Sequence, residues 1–169
     1  MNFDLYALKE SVIDLFTNRV MMCAVFSWLI AQYIKVFTSP KNRDGMSVKS
    51  FLVGTGGMPS SHSAAVCSTC FSCGILYGFD SPYFAIAGVL AVIVMRDATG
   101  VRRESGKQAA AINHMSRELS EVSEDFFLPE KLSELLGHTP LQVFFGALLG
   151  IAMAFVCQLW FFPLIFPAM

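Results

Sequence analysis

The residues best suited to chemistry fall into three short clusters. The first is Gly54-Thr55-Gly56-Gly57-Met58-Pro59-Ser60-Ser61-His62-Ser63. Its glycines let the backbone approach a ligand closely, and Pro59 followed by Ser60 or Ser61 reads as a helix start with a hydroxyl cap. Free N–H groups at a helix N-terminus hold phosphate, and His62, in the first turn, is placed to give up a proton. The second cluster is Leu136-Gly137-His138-Thr139-Pro140, leading into Gly146-Ala147-Leu148-Leu149-Gly150. Pro140 suits a first helical turn, so His138 stands at a second helix N-terminus, and two histidines at two positive helix ends suit an anionic substrate. The third is Arg96-Asp97-Ala98-Thr99-Gly100-Val101-Arg102-Arg103, with Lys107 a turn later. Arginine can grip phosphate oxygens through two N–H groups. The same charges also fit ordinary membrane topology and attraction to anionic lipid. Asp97, a carboxylate beside arginines, either pairs with them or orients a histidine. His114 has no motif around it and reads as structural or solvated.

The elements that must position these clusters follow from hydropathy. Apolar residues make up 54% of the 169 residues and charged ones 15%, against ~45–50% and ~25% in an average soluble domain. That gap points to lipid, and a length of 169 residues fits one domain, 1–169. A net charge of −1 gives no basic excess for nucleic acid. A spanning helix needs about 20 mostly apolar residues. Candidates are residues 20–37, 60–77, 83–95 and 139–162, with Pro163 and Pro167 ending the last. Gly78-Phe79-Asp80-Ser81-Pro82 reads as a tight turn. Before the first span, Leu5, Leu8, Val12, Ile13, Leu15 and Phe16 share roughly one helical face, as in a helix lying at the interface, and no cleavable signal peptide is evident. Residues 101–122 hold good helix formers and few breakers. The expected fold is therefore an all-α, polytopic membrane bundle of about four spanning helices, with an N-terminal interfacial helix and a cytosolic loop helix.

With four spans, Lys35, Ser60 to His62, Arg96 with Asp97, and His138 all come to one side of the bilayer. Ten of the twelve basic residues lie there too: Lys35, Lys41, Arg43, Lys49, Arg96, Arg102, Arg103, Lys107, Arg117 and Lys131. Only Lys9 and Arg19 precede the first span. The asymmetry predicts that the polar face is cytoplasmic. Cys67, Cys70 and Cys73 have the look of a metal motif, but they sit in an apolar stretch without a second ligand pair and read as small residues packing between helices. The five cysteines suggest no disulfide framework.

Pro59-Ser60-Ser61-His62-Ser63 resembles the second motif, and Gly137-His138-Thr139-Pro140 through Gly150 the third motif, of the type 2 phosphatidic acid phosphatase and haloperoxidase superfamily. Together with Asp97 to Arg103 they resemble its divergent bacterial and plastid branch, over about residues 32–152. The resemblance implies a multi-pass protein of a bacterial inner membrane or a plastid membrane. It further implies action on a phosphorylated lipid such as phosphatidic acid, phosphatidylglycerol phosphate or a polyprenyl phosphate, without metal or other cofactor. It implies His138 as nucleophile, His62 as general acid, and phosphate contacts from Ser60, Ser61, Gly57, Lys35, Arg43, Arg102, Arg103 and Lys107. Gln142 stands where the superfamily has an orienting aspartate, a part that Asp97 can take. Leu132 stands where it has an arginine, a part open to Arg102 or Arg103. Ser61 replaces the motif glycine, and Lys35 with Arg43 is the nearest match to the first motif. These departures keep open a non-catalytic binder of lipid phosphate (a carrier, regulator or scaffold) and, more weakly, a metal site built from His62, Asp97 and His138. Homo-oligomerisation through residues 101–122 is a further expectation.

Overall fold

The structure is a computed structural model that describes residues 5–38, 57–122, 132, 134 and 137–166. The described residues are helical throughout, joined by turns: α1 Leu5–Thr17, α2 Arg19–Thr38, α3 Ser61–Tyr77, α4 Pro82–Thr99, α5 Val101–Val122 and α6 Pro140–Val156. A π-helical turn, Cys157–Phe161, then leads into α7, Phe162–Ile165. The wider turn falls where Pro163 lacks an N–H to continue the ordinary ladder.

Three stretches are long and apolar enough to cross a bilayer: Arg19–Thr38, Pro82–Val122 and Pro140–Ile165. At about 1.5 Å per residue, the 20 residues of α2 measure about 30 Å, the thickness of the hydrocarbon core. The fourth expected span is α3, 17 residues long. Its buried face is made of small residues, among them Ser61, Ala64, Ser68, Ser72 and Gly74. Small residues let helix backbones approach closely in the absence of a hydrophobic driving force. α3 accordingly packs against α2, α4 and α6 together. The closest approach is to α6: a Cβ on Gly146 would stand 2.3 Å from the Ser60 carbonyl oxygen, and one on Gly150 would stand 2.3 Å from that of Ala64. All five cysteines are free and buried in these helix contacts.

The bundle runs up and down. At one end the Gln158 side chain donates to the Arg19 carbonyl, and Arg19 donates to the Phe166 carbonyl. The Gly78 to Ser81 turn joins α3 to α4. The opposite end collects the C-termini of α2 and α4 and the N-termini of α3 and α6. There Ser60 N–H donates to the Gln142 carbonyl at 2.9 Å, His138 N–H donates to the Ala98 carbonyl at 2.9 Å, and the Thr38 hydroxyl donates to the Met58 carbonyl.

Candidate functional site

Each side chain at this polar end is set by a helix terminus. Ser60 caps α3: its hydroxyl accepts from the Ser63 N–H at 3.3 Å and lies 3.0 Å from the Ser63 hydroxyl. Ser60 is fully buried, so it fixes the start of α3 against α6. Lys35, in the last turn of α2, is buried at 6% exposure and donates from Nζ to Ser61 Oγ at 3.0 Å. An ammonium carries three N–H groups, and among the described residues Ser61 takes one of them. His62, the next residue, is exposed.

Gly137 turns the chain toward α6 with φ +84°, a left-handed conformation that favours glycine. It lies flat on the α4–α5 junction, where a Cβ would come within 2.5 Å of the Arg103 nitrogen. His138 follows at 8% exposure, anchored by its backbone to Ala98. Its ring centroid stands 6.5 Å from that of His62, with the planes at 77°. His138 Nε2 is buried and has no hydrogen-bond partner. Burial, followed by the positive charges of Lys35, His62 and Arg102, pushes the His138 imidazole down to about 4. The ring is therefore neutral at physiological pH, with one nitrogen unprotonated.

The structure thus brings His62, His138, Lys35, Ser60 and Ser61 to one place, with Gly57 at φ +81° leading into α3. Arg102 is near enough for its charge to act on both histidines, and its Nε donates to Asp97 Oδ2 at 2.5 Å. Others stand apart. Lys107 pairs with Glu104 at 2.7 Å on the exposed surface of α5. Arg103 is exposed, and Arg43 lies outside the described residues. Leu132 is exposed; its N–H donates to the Asn113 side chain, whose amide donates back to the Leu132 carbonyl and to Glu134. His114 is exposed beside Glu118 at 3.4 Å. Among the described residues, no three of His, Cys, Asp or Glu gather closely enough to hold a metal ion.

Gln142 has a definite partner that is not His138. Thr139 caps α6, its Oγ1 accepting from Gln142 N–H at 3.3 Å, while Gln142 Oε1 accepts from Thr139 N–H at 2.9 Å. This reciprocal capping box is readable from the Thr139-x-x-Gln142 spacing. The Ala98 carbonyl that anchors His138 carries no signal in the sequence, because any residue supplies a carbonyl.

An all-helical membrane bundle with two histidines and a buried lysine at four converging helix ends is the architecture these observations define. The chain belongs to the divergent PAP2 family, whose model matches residues 16–153. It is similar to the "uncharacterized membrane protein YuiD" of Bacillus subtilis (strain 168), 41% identical over 160 residues, covering 88% of this chain and 99% of the relative. No solved structure matches the chain.

Proposed function

We propose that the protein is an integral membrane phosphatase that hydrolyses a lipid phosphate through a phosphohistidine, from the cytoplasmic face of a bacterial inner membrane. The observation that carries this reading is the neutral, buried His138, with Nε2 unpaired, 6.5 Å from the ring of His62 and close to the charge of Lys35. An unsatisfied buried nitrogen costs roughly 1–3 kcal/mol, and a site that carries such a cost is one where a ligand supplies the missing contact. A phosphate drawn to the N-termini of α3 and α6 meets two positive helix ends and the Lys35 ammonium. His138 Nε2 then attacks phosphorus, the P–O bond to the lipid alcohol breaks, and His62 gives its proton to the leaving oxygen. The anionic substrate favours the His62 imidazolium that this step uses. Water then attacks the phosphohistidine, losing its proton to His62, and phosphate leaves with His138 restored. Lys35 and the backbone N–H groups at the two helix starts stabilise the phosphoryl oxygens.

Phosphate release from phosphatidic acid, phosphatidylglycerol phosphate and polyprenyl phosphates tests this. Wild type releases phosphate from at least one class, and both His138→Ala and His62→Ala abolish release. Release that survives His138→Ala overturns the phosphohistidine route. A second reading has its own observation: Asp97 pairs with Arg102 and Gln142 with Thr139 rather than with His138. A site lacking that orienting group suits a protein that binds lipid phosphate without cleaving it. No release from any lipid, together with retained binding, selects that reading.

A further inference from the structure

Two thiols meet where α2 packs against the start of the π-helical turn. Cys23 Sγ lies 3.7 Å from the Met153 carbonyl oxygen, and the same carbonyl accepts from the Cys157 N–H one turn further on. The Cys157 thiol and the hydroxyls of Ser27, Ser68 and Ser72 gather around Cys23 Sγ. All five residues are buried, Cys23 at 0% and Cys157 at 2% exposure, and both thiols are free. Ser27 and Ser68 donate to carbonyls of their own helices, those of Cys23 and Ala65. Ser72 Oγ is buried without a hydrogen-bond partner. An orphaned hydroxyl is costly, and polar groups kept in a membrane interior mark functional sites. The backbone is irregular at the same place, since the π-helical turn begins at Cys157, and such turns recur at functional sites. The pair is remote from the polar end, Cys23 preceding Lys35 by twelve residues, about 18 Å along α2. Cys157 also helps to line an apolar groove that opens to lipid between Leu29 and Val156, both exposed.

We infer that Cys23 and Cys157 form a redox site, oxidised to a disulfide by an organic hydroperoxide dissolved in the hydrocarbon layer. Cys157, which lines the groove, meets the oxidant first. Its sulfur attacks the outer oxygen, the O–O bond breaks, and the alcohol leaves with the thiol proton, giving a sulfenic acid. Cys23 sulfur then attacks the sulfenic sulfur and forms the S–S bond. The S–O bond breaks, and the departing hydroxide takes the Cys23 proton and leaves as water. Two thiols and one hydroperoxide thus become one disulfide, one alcohol and one water. Attack requires thiolate character, and Ser72, with its O–H uncommitted, donates to Cys23 sulfur as that proton departs. The product suits its surroundings, because a disulfide carries no charge, whereas a metal held by two thiolates would leave charge buried in the bilayer. Cys67 and Cys70 turn instead to α4, toward Met95 and the Phe84 carbonyl.

The first test uses the unaltered protein in nanodiscs, treated with cumene hydroperoxide, alkylated under denaturing conditions and mapped by mass spectrometry. The expected result is a linked pair of peptides carrying Cys23 and Cys157, restored to two free thiols by a reductant, with Cys67, Cys70 and Cys73 alkylated throughout. Free thiols at Cys23 and Cys157 after treatment, or disulfides drawn from Cys67, Cys70 or Cys73, overturn the inference. Cumene hydroperoxide acts faster than hydrogen peroxide at equal concentration, and the reverse order overturns entry from lipid. The order of attack is read with dimedone, which traps sulfenic acids. Cys23→Ser accumulates the adduct on Cys157, and Cys157→Ser gives none on Cys23; the opposite pattern overturns Cys157 as the first sulfur. Ser72→Ala reaches the same linkage severalfold more slowly, and an unchanged rate overturns the part given to Ser72. None of these readouts depends on phosphate release, so the redox site and the phosphatase reading stand or fall separately.

Discussion

His138 is held by its backbone N–H on the Ala98 carbonyl, while its own Nε2 is left without a partner. Burial and nearby positive charge lower its proton affinity to about 4, against an ordinary value of 6.5. Between those two values the unfolded chain binds a proton that the folded chain refuses, so stability falls as pH drops from 6.5 toward 4 and changes no further below that. The loss is at most about 3 kcal/mol, less where solvent screens the charges of Lys35 and Arg102. Thermal unfolding in detergent from pH 7.5 to 4 reads it: the midpoint of the wild type falls more steeply over this window than that of His138→Asn. Parallel curves would mean that His138 is not the titrating group. At Lys35, replacement by Met keeps the stem and removes the ammonium, and phosphate affinity measured by calorimetry drops about tenfold or more. An unchanged affinity would show that Lys35 only braces Ser61. The positions of His62, His138 and Lys35 were legible because helix-start residues and membrane boundaries leave marks in a sequence. The sequence alone does not pair Asp97 with Arg102, because the carboxylate's partner depends on how the chain turns at Gly100, which composition does not encode.

Two helix starts meet where α3 and α6 cross, and the crossing leaves no room for a side chain at Gly146 or Gly150. An added Cβ would stand 2.3 Å from a carbonyl oxygen of α3 in either case, and backbone cannot swing away as a flexible side chain can. Gly146→Ala and Gly150→Ala are each expected to cost about 1–3 kcal/mol or somewhat more, lowering the unfolding midpoint by several degrees. Leu148→Ala, on an exposed face of α6, lowers it little. Gly146→Ala also pushes on Ser60 and so reduces phosphate binding. Equal midpoints for the glycine and leucine variants would refute the close crossing. At the same helix start, Gln142→Glu keeps the capping box and adds a favourable charge at the N-terminus, whereas Gln142→Ala costs about 1 kcal/mol. Thermal unfolding separates the two, and a Glu variant as unstable as the Ala variant would exclude the cap as the role of Gln142. Helix existence was legible from apolar runs, and helix ends less so. The third apolar run stops at Met95, yet α4 continues to Thr99. Arg96 and Asp97 break the apolar pattern without breaking the backbone ladder, so hydropathy ended the span before the helix ended. α3 was legible as an apolar run, but its place against three neighbours at once comes from its small residues rather than from its hydropathy.

For the whole molecule the open quantity is which way the polar end points. Connectivity places Lys35, His62, Asp97 and His138 at one end of the bundle and the Gly78 to Ser81 turn at the other. Among the described residues the cations divide the same way, with Lys35, Arg96, Arg102, Arg103, Lys107 and Arg117 toward the polar end and Lys9 and Arg19 before or at the start of α2. That bias favours retention of the polar end in the cytoplasm, and charges close to the ends of spanning helices count most. Arg96, Arg102 and Arg103 lie within a few residues of the end of α4 and so count fully, and the Asp80 turn at the far end has no basic residue to oppose them. An alkaline phosphatase reporter, active only outside the cytoplasm, is therefore expected to stay silent when fused within residues 100–130 and to be active when fused at Asp80. Green fluorescent protein, which matures in the cytoplasm, gives the reverse. The opposite pattern would put His62 and His138 on the outer face, where only lipid phosphates of the outer leaflet can reach them. The same substrate panel would then have to be presented from that side. Activity of both reporters at a single site would indicate a chain that inserts in two orientations, against the bias of its cations.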